Sequence, residues 1–164
     1  MIFITTGSSK LSSAMYDVVK QIDMAKKDKR LTEMVIAQIG QIEYVPQYME
    51  EYFCFTDNID TYIQNASIVI TADGAGTVFD LLRNGKKIIV FVNQEAQKYG
   101  ASATDFIGTL EEDNYLYWCR DITKLINDIE LVRYTTFKKY EPEKNTIAEM
   151  IDKEYSKWLI KNVK

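Results

Sequence analysis

Two short stretches set small residues beside polar ones in an order that suits an anion. "TTGSS" puts Gly7, Ser8 and Ser9 directly after an apolar run, and "ADGAGTVFD" puts Gly74, Ala75, Gly76 and Thr77 between an apolar run and a helical pattern. Glycine lets backbone approach a ligand closely, and the N–H groups of a helix's first turn, aided by the helix dipole, favour negative charge. A diphosphate is the natural guest. Asp80 lies one turn into the same helix, where a carboxylate can accept two hydrogen bonds from a ribose diol whose phosphates rest at the helix start. Each feature also has a purely architectural reading: a GxG turn permits close helix-to-strand packing, and a first-turn acid is favoured by the dipole alone. The pattern is not a complete GxGxxG and no Walker lysine follows it, which argues against dinucleotide and P-loop sites. No residue stands out as a catalytic base, and no set of residues as metal ligands.

Composition narrows the chemistry further. The 164 residues include no histidine, which removes every Ser-His or Cys-His nucleophile and every imidazole metal site. Cys54 and Cys119 fall in apolar, strand-like runs and are expected to be buried, inert thiols; two cysteines alone do not make a zinc site. A net charge of −4 offers no global field to gather nucleic acid or anionic lipid. No apolar run approaches the roughly 18 residues of a spanning helix, and "MIFITTGSSK" is too short and polar for a signal peptide. The expectation is a cytoplasmic protein.

Short apolar runs alternate with amphipathic stretches, and this order must position the two turns. "MIFITT", "MVIAQIG", "YFCFT", "SIVIT", "KIIVFV" and "YLYWC" read as strands. Between them, Met15, Val18, Val19 and Ile22 mark one face of a helix after the serine-rich loop 7–13, Asp57 is a cap for a short helix through Gln64, and "GAGTVFDLLRNG" is a helix stopped by Gly85. Further helices are expected near 101–112 and over "DITKLINDIE". Continuous apolar strands separated by helices predict a doubly wound α/β fold, a parallel sheet covered on both faces. In such sheets ligands bind beyond the carboxyl ends of the strands where the strand order reverses, so the loops after the first and fourth strands are the places to look. We divide the chain into a binding domain over 1–130 and an extension over 131–164. In the extension Ile147, Met150, Ile151, Tyr155, Trp158 and Leu159 form one apolar stripe at helical spacing. The spacing predicts an amphipathic helix that packs on this domain or on a partner subunit.

Taken together, "MIFITTGSS", "VIAQIGQIEYVP", "ASIVITADGAGTVFDLLRNGKKIIVFV" and "NYLY" resemble the C-terminal, donor-binding domain of family 28 glycosyltransferases. The resemblance covers about the first three quarters of the chain and is strongest to the small subunit of two-subunit UDP-sugar transferases. It implies a Rossmann-like half of a GT-B fold that binds a nucleotide-sugar, with UDP-sugar as donor substrate and no other cofactor. It also implies a separate, membrane-anchored subunit that binds the acceptor, so that this chain meets the membrane, at its inner face, only through that partner. Position by position, Gly7, Ser8 and Ser9 match the loop near the diphosphate, and Gly74, Ala75, Gly76 and Thr77 the phosphate-facing turn. Asp80 takes the place of a ribose-holding glutamate.

The chain departs from the family at several of these places. Ala72 replaces a usual histidine, and Asp73 a small residue; a carboxylate facing the same helix terminus would repel a diphosphate by about 1 to 4 kcal/mol, unless a divalent ion bridges the two. Asp105 is kept, but Ala101, Ser102, Phe106 and Ile107 stand where the family's sugar-contacting segment has polar residues. Three readings follow: a transferase subunit, a non-catalytic subunit that stabilises or regulates a transferase partner, and an unrelated nucleotide-binding or flavodoxin-like sensor domain.

Overall fold

The structure is a computed structural model that describes residues 1–7, 13–92 and 103–141. Six strands, β1 (Ile2–Thr5), β2 (Val35–Gln38), β3 (Glu51–Phe53), β4 (Ile68–Ala72), β5 (Lys87–Phe91) and β6 (Tyr117–Trp118), form one sheet in the order β3-β2-β1-β4-β5-β6. Every neighbouring pair is parallel. The connecting helices are α1 (Ser13–Lys27), α2 (Ile59–Asn65), α3 (Ala75–Arg83), α4 (Ala103–Glu112) and α5 (Leu125–Tyr134).

Side chains alternate across the pleat and so divide the core in two. Ile2, Ile4, Val35, Ala37, Ile68 and Ile70 pack with α1 and α5 on one face, whereas Phe3, Ile36, Val69, Ile88 and Val90 pack with α2, α3 and α4 on the other. This two-sided cover is why the central strands carry no polar alternation. The α1 face reads as expected: Met15, Val18, Val19 and Ile22 are fully buried, each contributing about 1.5 to 3 kcal/mol of hydrophobic stabilisation.

The two edge strands differ from the sequence reading. β3 ends at Phe53, although the Gly40 N–H still reaches Cys54 O at 3.0 Å; Cys54 lies on this edge strand's continuation and is exposed, correcting the expectation that both thiols are buried. β6 keeps only two residues, since the Tyr115 N–H bonds to Leu110 O at the end of α4 (2.9 Å) rather than to a strand. Asp57 does not cap α2. Asn58 is its N-cap, and no side chain accepts from the helix's first amides. "DITK" is a 3₁₀ turn over Ile122–Lys124, capped by Asp121, whose carboxylate accepts from the Thr123 N–H at 3.0 Å. α5 then runs past residue 130 to Tyr134, with Val132 in the core. Ser13, the last residue of the serine-rich loop 7–13, begins α1, while residues 8–12 of that loop and the apolar stripe 147–159 lie outside the described residues.

Candidate functional site

Strand order reverses between β1 and β4, where Thr5 lies beside Thr71 in register. The chain leaves both strands at this point, so Gly7 and the Asp73-Gly74 turn both lie just beyond the carboxyl ends of adjacent strands, the usual ligand position in open α/β folds. Gly7 has φ 70, a left-handed backbone that suits glycine. Its N–H donates to Thr5 Oγ1 at 3.3 Å. Ser8 and Ser9 lie outside the described residues.

A third glycine joins this end of the sheet. Gly40, φ 58, follows β2, and a Cβ built on it would stand 2.7 Å from Thr6 Oγ1 and 3.8 Å from Gly7 O. Beneath the loops, Thr5, Thr6, Gln38 and Thr71 are buried polar residues at the ends of the three central strands. The sequence alone does not single them out, although Thr5, Thr6 and Thr71 each close an apolar run with a hydroxyl.

After β4, α3 starts on Gly74, whose backbone is extended (φ −66, ψ 111) and which brings no side-chain cap. The first helical bond runs from Val78 N–H to Gly74 O at 3.0 Å, so the amides of Ala75, Gly76 and Thr77 precede the ladder, as in any helix start. Gly74, Ala75 and Gly76 are exposed and Thr77 is half-buried. Asp73 is half-buried and itself engaged in an interaction. Asp80 is exposed one turn further on, where its Oδ1 accepts from Arg83 Nη1 at 3.0 Å. An exposed i,i+3 pair of this kind is worth at most about 1 kcal/mol, so it does not lock the carboxylate away from a ligand. Among the described residues, no group of three or more Cys, Asp or Glu converges as a metal site.

The positions matched to the family's sugar-contacting segment are distributed differently. Ile107 is fully buried in the core, and Phe106 packs on Phe79 at 5.4 Å between ring centroids. Both serve α4 packing. Asp105 is exposed in the first turn of α4, and Ala101 and Ser102 lie outside the described residues.

The loop after β2 is held by a residue the sequence reading passed over. Asp23, on α1 and fully buried, accepts from four donors: Tyr44 Oη at 2.7 Å and the N–H groups of Gln47 (3.0 Å), Tyr48 (2.7 Å) and Met49 (3.1 Å). Burial, and then the hydrogen bond to Asp23, push the Tyr44 phenol up to about 12. The segment containing "YVPQYM" is thereby fastened to α1 beside the Gly40 end of β2.

Comparison with known proteins bears on this arrangement. The sequence profile of the glycosyltransferase family 28 C-terminal domain matches residues 1–157. The human UDP-N-acetylglucosamine transferase subunit ALG13 is 23% identical over 124 residues, which are 72% of this chain and 11% of that protein. This chain thus spans about a tenth of that relative's length. Among solved structures, Acinetobacter baumannii MurG superposes with a TM-score of 0.60 at 14% identity, over 81% of this chain and 40% of that one. The solution structure of ALG13 gives 0.56 at 16% identity, over 92% and 93% of the two chains. At these identities the superpositions establish a shared Rossmann-like fold.

Proposed function

The chain belongs to the glycosyltransferase family 28 C-terminal domains, and we propose that it is the UDP-sugar-binding subunit of a two-component glycosyltransferase. In this reading a hexose or N-acetylhexosamine passes from UDP to a lipid-diphosphate-linked acceptor, which a membrane-anchored partner subunit holds. The observation that carries it is the placement of Gly7 and the Gly74–Thr77 turn just after two adjacent strands at the strand-order reversal, with α3 starting on a glycine.

The diphosphate rests against the first amides of α3, and Asp80 takes the ribose diol. As the bond from the anomeric carbon to the β-phosphate oxygen breaks, charge grows on the departing UDP. Fixed N–H dipoles and the helix terminus stabilise that charge without reorganising, and the same contacts align the sugar with the acceptor hydroxyl. The base that takes the acceptor's proton comes from the partner. Contact with the membrane's cytosolic face is likewise made through the partner. Asp73 opposes the diphosphate, so a divalent ion strengthens binding by bridging the two.

Titration calorimetry with UDP and UDP-sugars, with and without Mg²⁺, tests the reading. Micromolar binding that Asp80→Ala weakens about tenfold, roughly 1.4 kcal/mol, supports it. Silence at millimolar ligand with the partner present replaces it with the non-catalytic subunit.

A further inference from the structure

One register row crosses the sheet at its carboxyl edge: Phe53, Gln38, Thr5, Thr71, Val90 and Trp118 lie side by side from β3 to β6. On the three central strands the row two residues earlier, Ile36, Phe3 and Val69, is wholly apolar and packs with α2, α3 and α4. Side chains return to the same face every second residue, so Gln38, Thr5 and Thr71 share that face. They break its apolar pattern while staying buried, with 5%, 1% and 1% of their surface exposed. A buried polar group left without a partner is destabilising.

Their partners are incomplete. Thr5 Oγ1 accepts from the Gly7 N–H at 3.3 Å, which leaves its own O–H to donate. No described residue hydrogen-bonds the Gln38 carboxamide or the Thr71 hydroxyl, whereas every fully enclosed polar side-chain atom among the described residues has a partner. The polar atoms of Gln38 and Thr71 therefore hold the slight surface these residues keep, at the end of the sheet where the chain turns into Gly7 and Gly74. β4 ends at Ala72, and α3 begins at Ala75 and packs on this same face through Val78, Leu81 and Leu82.

We propose that Gln38, Thr5 and Thr71 form the floor of the diphosphate site, two hydroxyls and a carboxamide N–H₂ donating to phosphate oxygens that the first amides of α3 also meet. Resting on the nucleotide-sugar reading, the row adds to that site three donors carried by the strands themselves. Neighbouring strands stand about 4.8 Å apart, so the three side chains cover about 10 Å. A diphosphate diester offers acceptors only, which suits a row of donors.

Titration calorimetry of the full chain with UDP, set beside urea unfolding of the same variants, tests the assignment. Thr71→Val and Gln38→Leu keep the approximate side-chain shape and remove the donors. UDP affinity is expected to fall about tenfold in each, while the unfolding midpoint stays level or rises, because an apolar group replaces a buried polar one that lacks a partner. Thr71→Ser, which restores the hydroxyl, is expected to recover most of the affinity lost in Thr71→Val. Thr71→Val decides alone if Gln38→Leu does not fold. A lowered midpoint in Thr71→Val means that the hydroxyl is bonded within the protein and overturns the proposal. Wild-type affinity in both variants also overturns it and leaves the nucleotide-sugar reading standing. Silence of the wild-type chain at millimolar UDP with the partner present removes that reading, and the floor with it.

Discussion

Gly40 and Thr6 meet where the loops after β1 and β2 converge, leaving no room for a side chain: a Cβ on Gly40 would lie 2.7 Å from Thr6 Oγ1. Gly40 also holds φ 58. Gly40→Ala therefore combines a left-handed backbone with a collision. We expect a loss of about 1 to 3 kcal/mol in urea unfolding. On the proposed function UDP affinity is expected to fall as well, because Thr6 leads directly into Gly7.

Asp23 fastens the loop after β2 through four donors. Asp23→Ala strands three part-buried backbone N–H groups and the Tyr44 hydroxyl, and its expected cost in equilibrium unfolding is about 3 kcal/mol. Tyr44→Phe removes one donor and leaves the carboxylate its amide partners, so it costs about 1 kcal/mol. Equal effects from the two variants would contradict this account.

Glu50 links α1 to β2: Oε1 accepts from Lys26 Nζ at 2.5 Å and Oε2 from the Val35 N–H at 2.7 Å. Burial pushes the Glu50 carboxyl up, but these two partners outweigh it and hold the group below its ordinary range. A depressed folded-state value means that the stabilisation is present above the unfolded-state value and is lost as pH falls through the folded one. Glu50→Gln is expected to destabilise at neutral pH, by no more than about 1 kcal/mol because the carboxylate is substantially exposed. The difference from wild type should close as pH drops below the ordinary carboxylate range, as followed by thermal melts across pH.

The two thiols should react differently. Cys119 is buried, and burial, followed by the nearby Asp128, pushes it up to about 12, so little thiolate forms near neutral pH. Cys54 is exposed. One thiol should titrate rapidly with a chromogenic disulfide in the native protein, and it should be missing in Cys54→Ser. The second should appear only on unfolding.

Much of the fold and part of the site were legible in the residues themselves. Strands β1, β2, β4 and β5 are buried on both faces, so they stand out as unbroken apolar runs. The position of Gly74–Thr77 between β4 and α3, and the buried face of α1, follow from periodicity within a dozen neighbouring residues. The α/β alternation predicted the parallel sheet and pointed to the loops after β1 and β4; that these two strands are neighbours is a property of the folded sheet. Only the tertiary structure decided that β3 stops at Phe53 and that Cys54 is exposed. It also decided that Asp23 reaches a tyrosine 21 residues away, that Gly40 backs onto Thr6, and that Phe106 and Ile107 pack inward rather than toward a sugar. The physical reason is range. Hydrophobic periodicity records what a residue's chain neighbours bury, while hydrogen-bond partners and steric contacts form between segments that meet only once the helices have docked on the sheet.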